Sequence, residues 1–99
     1  MVKDRAIVEV LRLLEAALGG NVFRIQDYWE PDLCAVGICS IRNSDFLVYI
    51  STYGKTPGFY FVSLEGPPPH GSDLPYEESG RFETVDFTEL VGIVREHLA

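Results

Sequence analysis

Basic residues are scarce in this chain: eight Lys and Arg stand against fifteen Asp and Glu, giving a net charge of −7. Affinity for a phosphate backbone comes mainly from Lys and Arg contacts, so nucleic acid is not an expected partner. Cysteine is scarcer still, with Cys34 and Cys39 alone. If residues 33–41 form one strand, the odd separation of these two puts them on opposite faces, roughly 16 Å apart. A disulfide needs Cα atoms within about 7 Å, so they do not pair there. With no C-x-x-C and no histidine nearby, they form no recognisable zinc site, and they read as small core residues of a reducing compartment. Uncharged runs such as residues 46–54 fall far short of the roughly 18 apolar residues that suggest a membrane span. Residues 1–18 alternate charged and apolar positions, so no secretory h-region is expected and the cytoplasm is the expected location. The catalytic signatures G-x-S-x-G and H-E-x-x-H are missing. No catalytic residue, metal ligand or cofactor is assigned, and an enzyme is not expected.

What is present suits a folded chain. Apolar residues make up 46% and charged residues 23% of 99 positions, enough for one domain, 1–99, with a core that needs no disulfide or metal. The acidity is uneven. Residues 60–99 hold Glu65, Asp73, Glu77, Glu78, Glu83, Asp86, Glu89 and Glu96 against Arg81 and Arg95 only. Such a surface either steers a basic partner into place or, more commonly, only keeps the protein soluble.

Ile7, Val10, Leu11, Leu14 and Leu18 form one helical stripe, which predicts a helix over residues 3–18, ended by Gly19-Gly20-Asn21. Residues 22–29 alternate imperfectly and predict a strand, broken by Glu30-Pro31-Asp32. Residues 33–42, apolar on both faces, predict a central strand covered by helices. A short turn at Asn43-Ser44-Asp45 leads into a strand over residues 46–52, which makes a hairpin. The turn with Gly54, Pro57 and Gly58 then returns the chain along residues 59–64. Residues 66–80 carry four of the six prolines, which predicts a long loop rather than helix or central strand. Residues 81–85 add a last strand. Asp86 reads as the N-cap of a closing helix, with Glu89 completing a capping box and Phe87, Leu90, Val91, Val94 and Leu98 as its stripe. The expected fold class is α+β: an N-terminal helix, an antiparallel meander of four to five strands and a C-terminal helix, both helices on one face of the sheet.

Short motifs carry little chemistry. Gly54-Lys55-Thr56 lacks the earlier glycine and the following helix of a P-loop, and reads as a turn. His70-Gly71-Ser72-Asp73 gathers triad-type residues in a proline-rich loop, without the rigid element and oxyanion hole that a nucleophile needs. His97 has no second ligand at helical spacing and suits the negative end of a helix dipole. Neither Glu77-Glu78 nor the Glu30 and Asp32 pair has a catalytic spacing; a solvated face explains them.

The aromatics are more informative. Phe46, Phe59, Phe61 and Phe87 read as core residues. Tyr28, Trp29 and Tyr53 stand beside turns and suit either the core or an interface, where a rigid ring buries much area at low entropy cost. The residues expected to contact a partner are Asp73, Tyr76, Glu77 and Glu78 in the long loop, with Tyr28, Trp29 and Glu30.

Residues 47–64, the acidic Tyr76-Glu77-Glu78 segment and the ending VDFTELVGIVREHL together resemble the small α+β immunity proteins of bacterial polymorphic toxin systems. The resemblance rests on element order and patterning over about half the chain, and it transfers no residue role. It implies a protein that binds and neutralises a cognate toxin by covering a basic active site with an acidic surface. The expected function is therefore a protein-binding module, monomer or homodimer, whose partner is another protein of basic character. The alternatives are a self-assembling or adaptor domain that pairs through its sheet edge and, behind it, a small enzyme.

Overall fold

Ile7, Val10, Leu11 and Leu14 line one side of helix α1 (Arg5–Leu18) in the computed structural model, which describes residues 2–99. The helix begins two residues later than its stripe predicts, because Lys3 and Asp4 are engaged elsewhere. The Asp4 amide donates to the Leu33 carbonyl at 2.9 Å, and its carboxylate makes no cap bond but accepts from the Cys34 thiol at 3.0 Å. At the other end Gly19 takes φ +90°, a conformation open to glycine, while its N–H donates to the Glu15 carbonyl.

Five strands follow: β1 (Phe23–Ile25), β2 (Ala35–Ser40), β3 (Leu47–Ser51), β4 (Phe59–Gly66) and β5 (Glu77–Asp86), and then helix α2 (Phe87–Leu98). Their order in space is their order in sequence, all antiparallel, so the sheet is a meander closed by a helix at each end of the chain. The register sorts the side chains. Val36 lies opposite Ile50, Ile38 opposite Val48, and Ile50 opposite Val62. These residues, with Tyr60 and Val85, face the stripes of both helices and form one buried cluster with Leu90, Val94 and Leu98. Burying a residue of this size stabilises the fold by roughly 1.5–3 kcal/mol relative to leaving it exposed. Asp86 caps α2 as expected: its carboxylate accepts from the Glu89 amide at 2.9 Å and Glu89 answers to the Asp86 amide at 3.1 Å.

The structure departs from the sequence reading at several points. Residues 22–29 do not form one strand. Only Phe23–Ile25 does; the Gln26 amide still donates to the Gly37 carbonyl at 3.0 Å, and the chain then turns over residues 28–31. The long loop is shorter than residues 66–80. All its prolines lie before Tyr76, and Glu77–Gly80 hydrogen-bond to the end of β4 as the start of β5, leaving residues 67–76 as the loop. Glu77 and Glu78 are thus strand residues. All six residues of β2 are buried, but helices cover only one of its faces; the other lies beneath Trp29. Cys34 falls just before β2 and Cys39 within it, both as free thiols. Among the phenylalanines, Phe46 and Phe87 pack against the core, whereas Phe59 is exposed and Phe61 lies on the face away from the helices. Tyr53 is also exposed. Among the described residues, no helix is long and apolar enough to cross a membrane.

Candidate functional site

With both helices on one face, the other face of the sheet is left to its own side chains and to the loop of residues 26–32. Gly37 on β2, Tyr49 on β3 and Phe61 on β4 belong to this face by strand parity, since Val36, Val48 and Val62 point to the helices. Trp29 comes down over Gly37. A Cβ there would lie 2.7 Å from the indole ring and 2.5 Å from the Gln26 carbonyl oxygen. Glycine is the residue this close approach requires. From Trp29 an aromatic row crosses the sheet. Its ring meets Tyr49 edge-on at 4.7 Å, Tyr49 meets Phe61 at 6.0 Å, and the Arg81 guanidinium lies over Phe61 at 5.5 Å. Edge-to-face pairs of this kind are worth about 0.5–1.5 kcal/mol beyond their area.

The loop that delivers Trp29 is held by a residue remote in sequence. The Lys3 side chain is 1% exposed, and its ammonium pairs with the Asp27 carboxylate at 2.8 Å. It also donates to the carbonyls of Trp29 (2.9 Å), Glu30 (3.3 Å) and Asp32 (2.7 Å). Three N–H groups are shared among four oxygens, so the charge is fully hydrogen-bonded although buried. The loop adds its own ties. The Trp29 amide donates to Asp27 Oδ1, the Asp32 amide to the Trp29 carbonyl, and the Cys34 amide to Asp32 Oδ1. A further chain runs along β1 and beyond: Arg24 donates to Gln26 Oε1 at 2.7 Å, and Gln26 Nε2 donates to the Tyr28 hydroxyl at 3.0 Å. Tyr28 is thereby oriented although it is 70% exposed.

At one end of this face a cleft of about 300 Å³ opens between Tyr28 and Trp29, the Ser44–Asp45 turn, Leu47, Glu65 and Gly66 of β4, and Pro75 and Tyr76. Its ionisable lining is acidic: Asp45 and Glu65, with no Lys or Arg. Glu65 is half-buried, and its carboxylate accepts no hydrogen bond among the described residues. Burial pushes its carboxyl above the ordinary carboxylate range, and the charge of Glu78, its partner across the strand pair, adds to the rise. Its backbone carbonyl meets a ring nitrogen of His97 at 2.8 Å, which ties the cleft to α2. Glu78 is itself engaged with Arg81, at 3.0 Å.

Of the residues expected to bind a partner, the fold brings Tyr28, Trp29 and Tyr76 to one cleft. Glu78 lies opposite Glu65 and shares its face, whereas Glu77 lies opposite Gly66 and by strand parity takes the helix side; neither lines the cleft. Glu30 sits on the Trp29 loop, exposed, with its carbonyl turned to Lys3. Asp73 is exposed in the loop of residues 67–76 and does not line the cleft. Sequence reasoning missed Glu65, Asp45, Gly37 and Lys3. A glycine inside an apolar strand signals a close backbone approach, and a lone acid ending an apolar strand marks its open face; nothing local marks Lys3.

Neither thiol is set up as a nucleophile. Cys34 donates to Asp4, and this bond, reinforced by partial burial and by the charges of Asp4 and Asp32, pushes its pKa up. Burial does the same for Cys39. Among the described residues, no three His, Cys, Asp or Glu side chains are grouped to hold a metal ion. Comparison with family models, with curated proteins and with solved structures gives no match.

Proposed function

We propose that this protein is a protein-binding module whose contact surface is the open face of the sheet, centred on the cleft between Tyr28, Trp29, Tyr76 and Glu65. The observation that carries this reading is the pairing of the exposed Tyr28 and Tyr76 rings and the clamped Trp29 with a lining whose charged residues, Asp45 and Glu65, are both acids. Exposed aromatics on a fixed backbone supply contact area at little entropic cost, and the surplus of acid selects a basic partner. The most concrete form is a cytoplasmic immunity-type protein that occludes the basic active site of a cognate toxin.

The test is capture of partners on the immobilised protein at low and high salt, followed by association kinetics with the partner recovered. Charge reversal at Glu77 and Glu78, on the strand beside Gly66 and Glu65, is expected to slow association and to flatten its salt dependence, with a smaller change in dissociation. An on-rate that stays the same at every ionic strength refutes the reading. A second reading, a domain that assembles with its own copies, draws on the free outer edge of β5, ten residues long. Concentration-dependent oligomerisation would favour it, against the repulsion that Glu77, Glu78, Glu83 and Asp86 impose on two such edges brought together.

A further inference from the structure

We infer that the cleft on the open face receives an arginine side chain of the partner, with Glu65 as its anion and Trp29, Tyr28 and Tyr76 as its walls. The inference rests on the binding reading above and specifies the group that enters. At about 300 Å³ the cleft is at the lower end of small-molecule sites and has room for one inserted side chain. Its chemistry is that of a guanidinium receptor. The Arg group is planar, weakly hydrated and prone to stack on aromatic faces, and its fork matches a carboxylate held in one place.

Two of the three aromatic walls, Trp29 and Tyr28, are held by the protein's own contacts. The Lys3 clamp fixes the Trp29 backbone, the Arg24–Gln26 relay orients the Tyr28 hydroxyl, and Pro75 precedes Tyr76. Glu65 projects from a strand paired on both sides. Its carboxylate is partly exposed and has no protein hydrogen-bond partner among the described residues, so it is free to meet an entering cation, which would offset the opposition of burial to its charge. The same face already shows an arginine in such surroundings, since Arg81 both lies over Phe61 and pairs with Glu78. Arg81 is engaged there and is not part of the cleft lining.

The experiment uses the chain's single tryptophan as reporter. The full protein is titrated with the blocked peptide Gly-Gly-Arg-Gly-Gly, following the Trp29 indole N–H resonance and the tryptophan emission. The same peptide with citrulline, the neutral isostere, is the control. A saturable shift is expected with the arginine peptide, and binding about ten- to a hundredfold weaker for the citrulline peptide and for the Glu65→Gln protein, the range of one charged hydrogen-bonded contact. Glu65→Gln keeps the shape of the side chain, and the dispersion of its amide spectrum reports that it folds; Tyr28→Ala, exposed and off the core, serves as a second variant and should weaken binding as well. Equal binding of the two peptides, unchanged binding by Glu65→Gln, or no saturable shift overturns the inference. The broader reading is judged separately. If Glu65→Gln leaves partner affinity intact while charge reversal at Glu77 and Glu78 slows association, only the arginine assignment falls.

Discussion

Replacing Lys3 with methionine tests whether the site depends on a residue that touches nothing a ligand would touch. Methionine retains much of the apolar stem and removes the ammonium. The Asp27 carboxylate, with a side chain 13% exposed, then loses its counter-ion, and the carbonyls of Trp29, Glu30 and Asp32 lose a shared donor. Removing one member of a buried pair costs about 3–5 kcal/mol. Asp27 retains some contact with water, which places the expected loss near the lower end, about 3 kcal/mol. That is a large part of the roughly 5–15 kcal/mol that holds a domain together. For a chain of this size it lowers the melting temperature by about 12–24 °C, at roughly 4–8 °C per kcal/mol. Urea unfolding followed by circular dichroism measures the loss, and tryptophan emission reports whether Trp29 leaves Gly37. Adding Asp27→Asn should recover part of the stability, because the orphaned charge goes with it. A loss below about 1 kcal/mol, the value of an exposed ion pair, would refute the reasoning that Lys3 acts as a buried clamp.

Gly37→Ala drives a methyl group into the Gln26 backbone and the Trp29 ring; the expected cost is about 1–3 kcal/mol, with red-shifted tryptophan emission, and unchanged emission would contradict the packing described. Asp86→Ala removes the capping box of α2 and should lower stability by about 0.5–2 kcal/mol in thermal melts. Glu65 retains its proton in the folded state to higher pH than in the unfolded chain. Its contribution to stability is therefore present at acid pH and is lost as pH rises through the raised value. Glu65→Gln should accordingly be more stable than the natural protein at neutral pH, with the difference shrinking on acidification; a difference that grows towards acid pH would show the sign to be wrong.

The legibility of this protein follows the range of its interactions. The apolar stripes of α1 and α2, the Asp86–Glu89 capping box and the meander across β2, β3 and β4 are local patterns of period 3.6 or 2. They could be read from the residues, and the α+β order with them. Element ends were less legible where a distant group intervened. Lys3 and Asp4 hold residues 27–34 and so delay α1, and the ladder to β4 draws Glu77–Gly80 into β5. Tyr28 and Trp29 could be singled out as aromatics beside a turn and Tyr76 as part of the long loop, but their convergence with Glu65 could not.

By itself, then, the sequence determined which segments become helix and strand, where the acid surplus lies and which rings stand next to turns, because propensity, periodicity and charge act over a few residues. Only the tertiary structure decided that Trp29 closes over Gly37 under the hold of Lys3, and that a cleft with an unpartnered carboxylate opens beside it. Those outcomes depend on contacts between residues tens of positions apart, where packing and the requirement to satisfy every buried charge select among arrangements that the local sequence leaves equivalent.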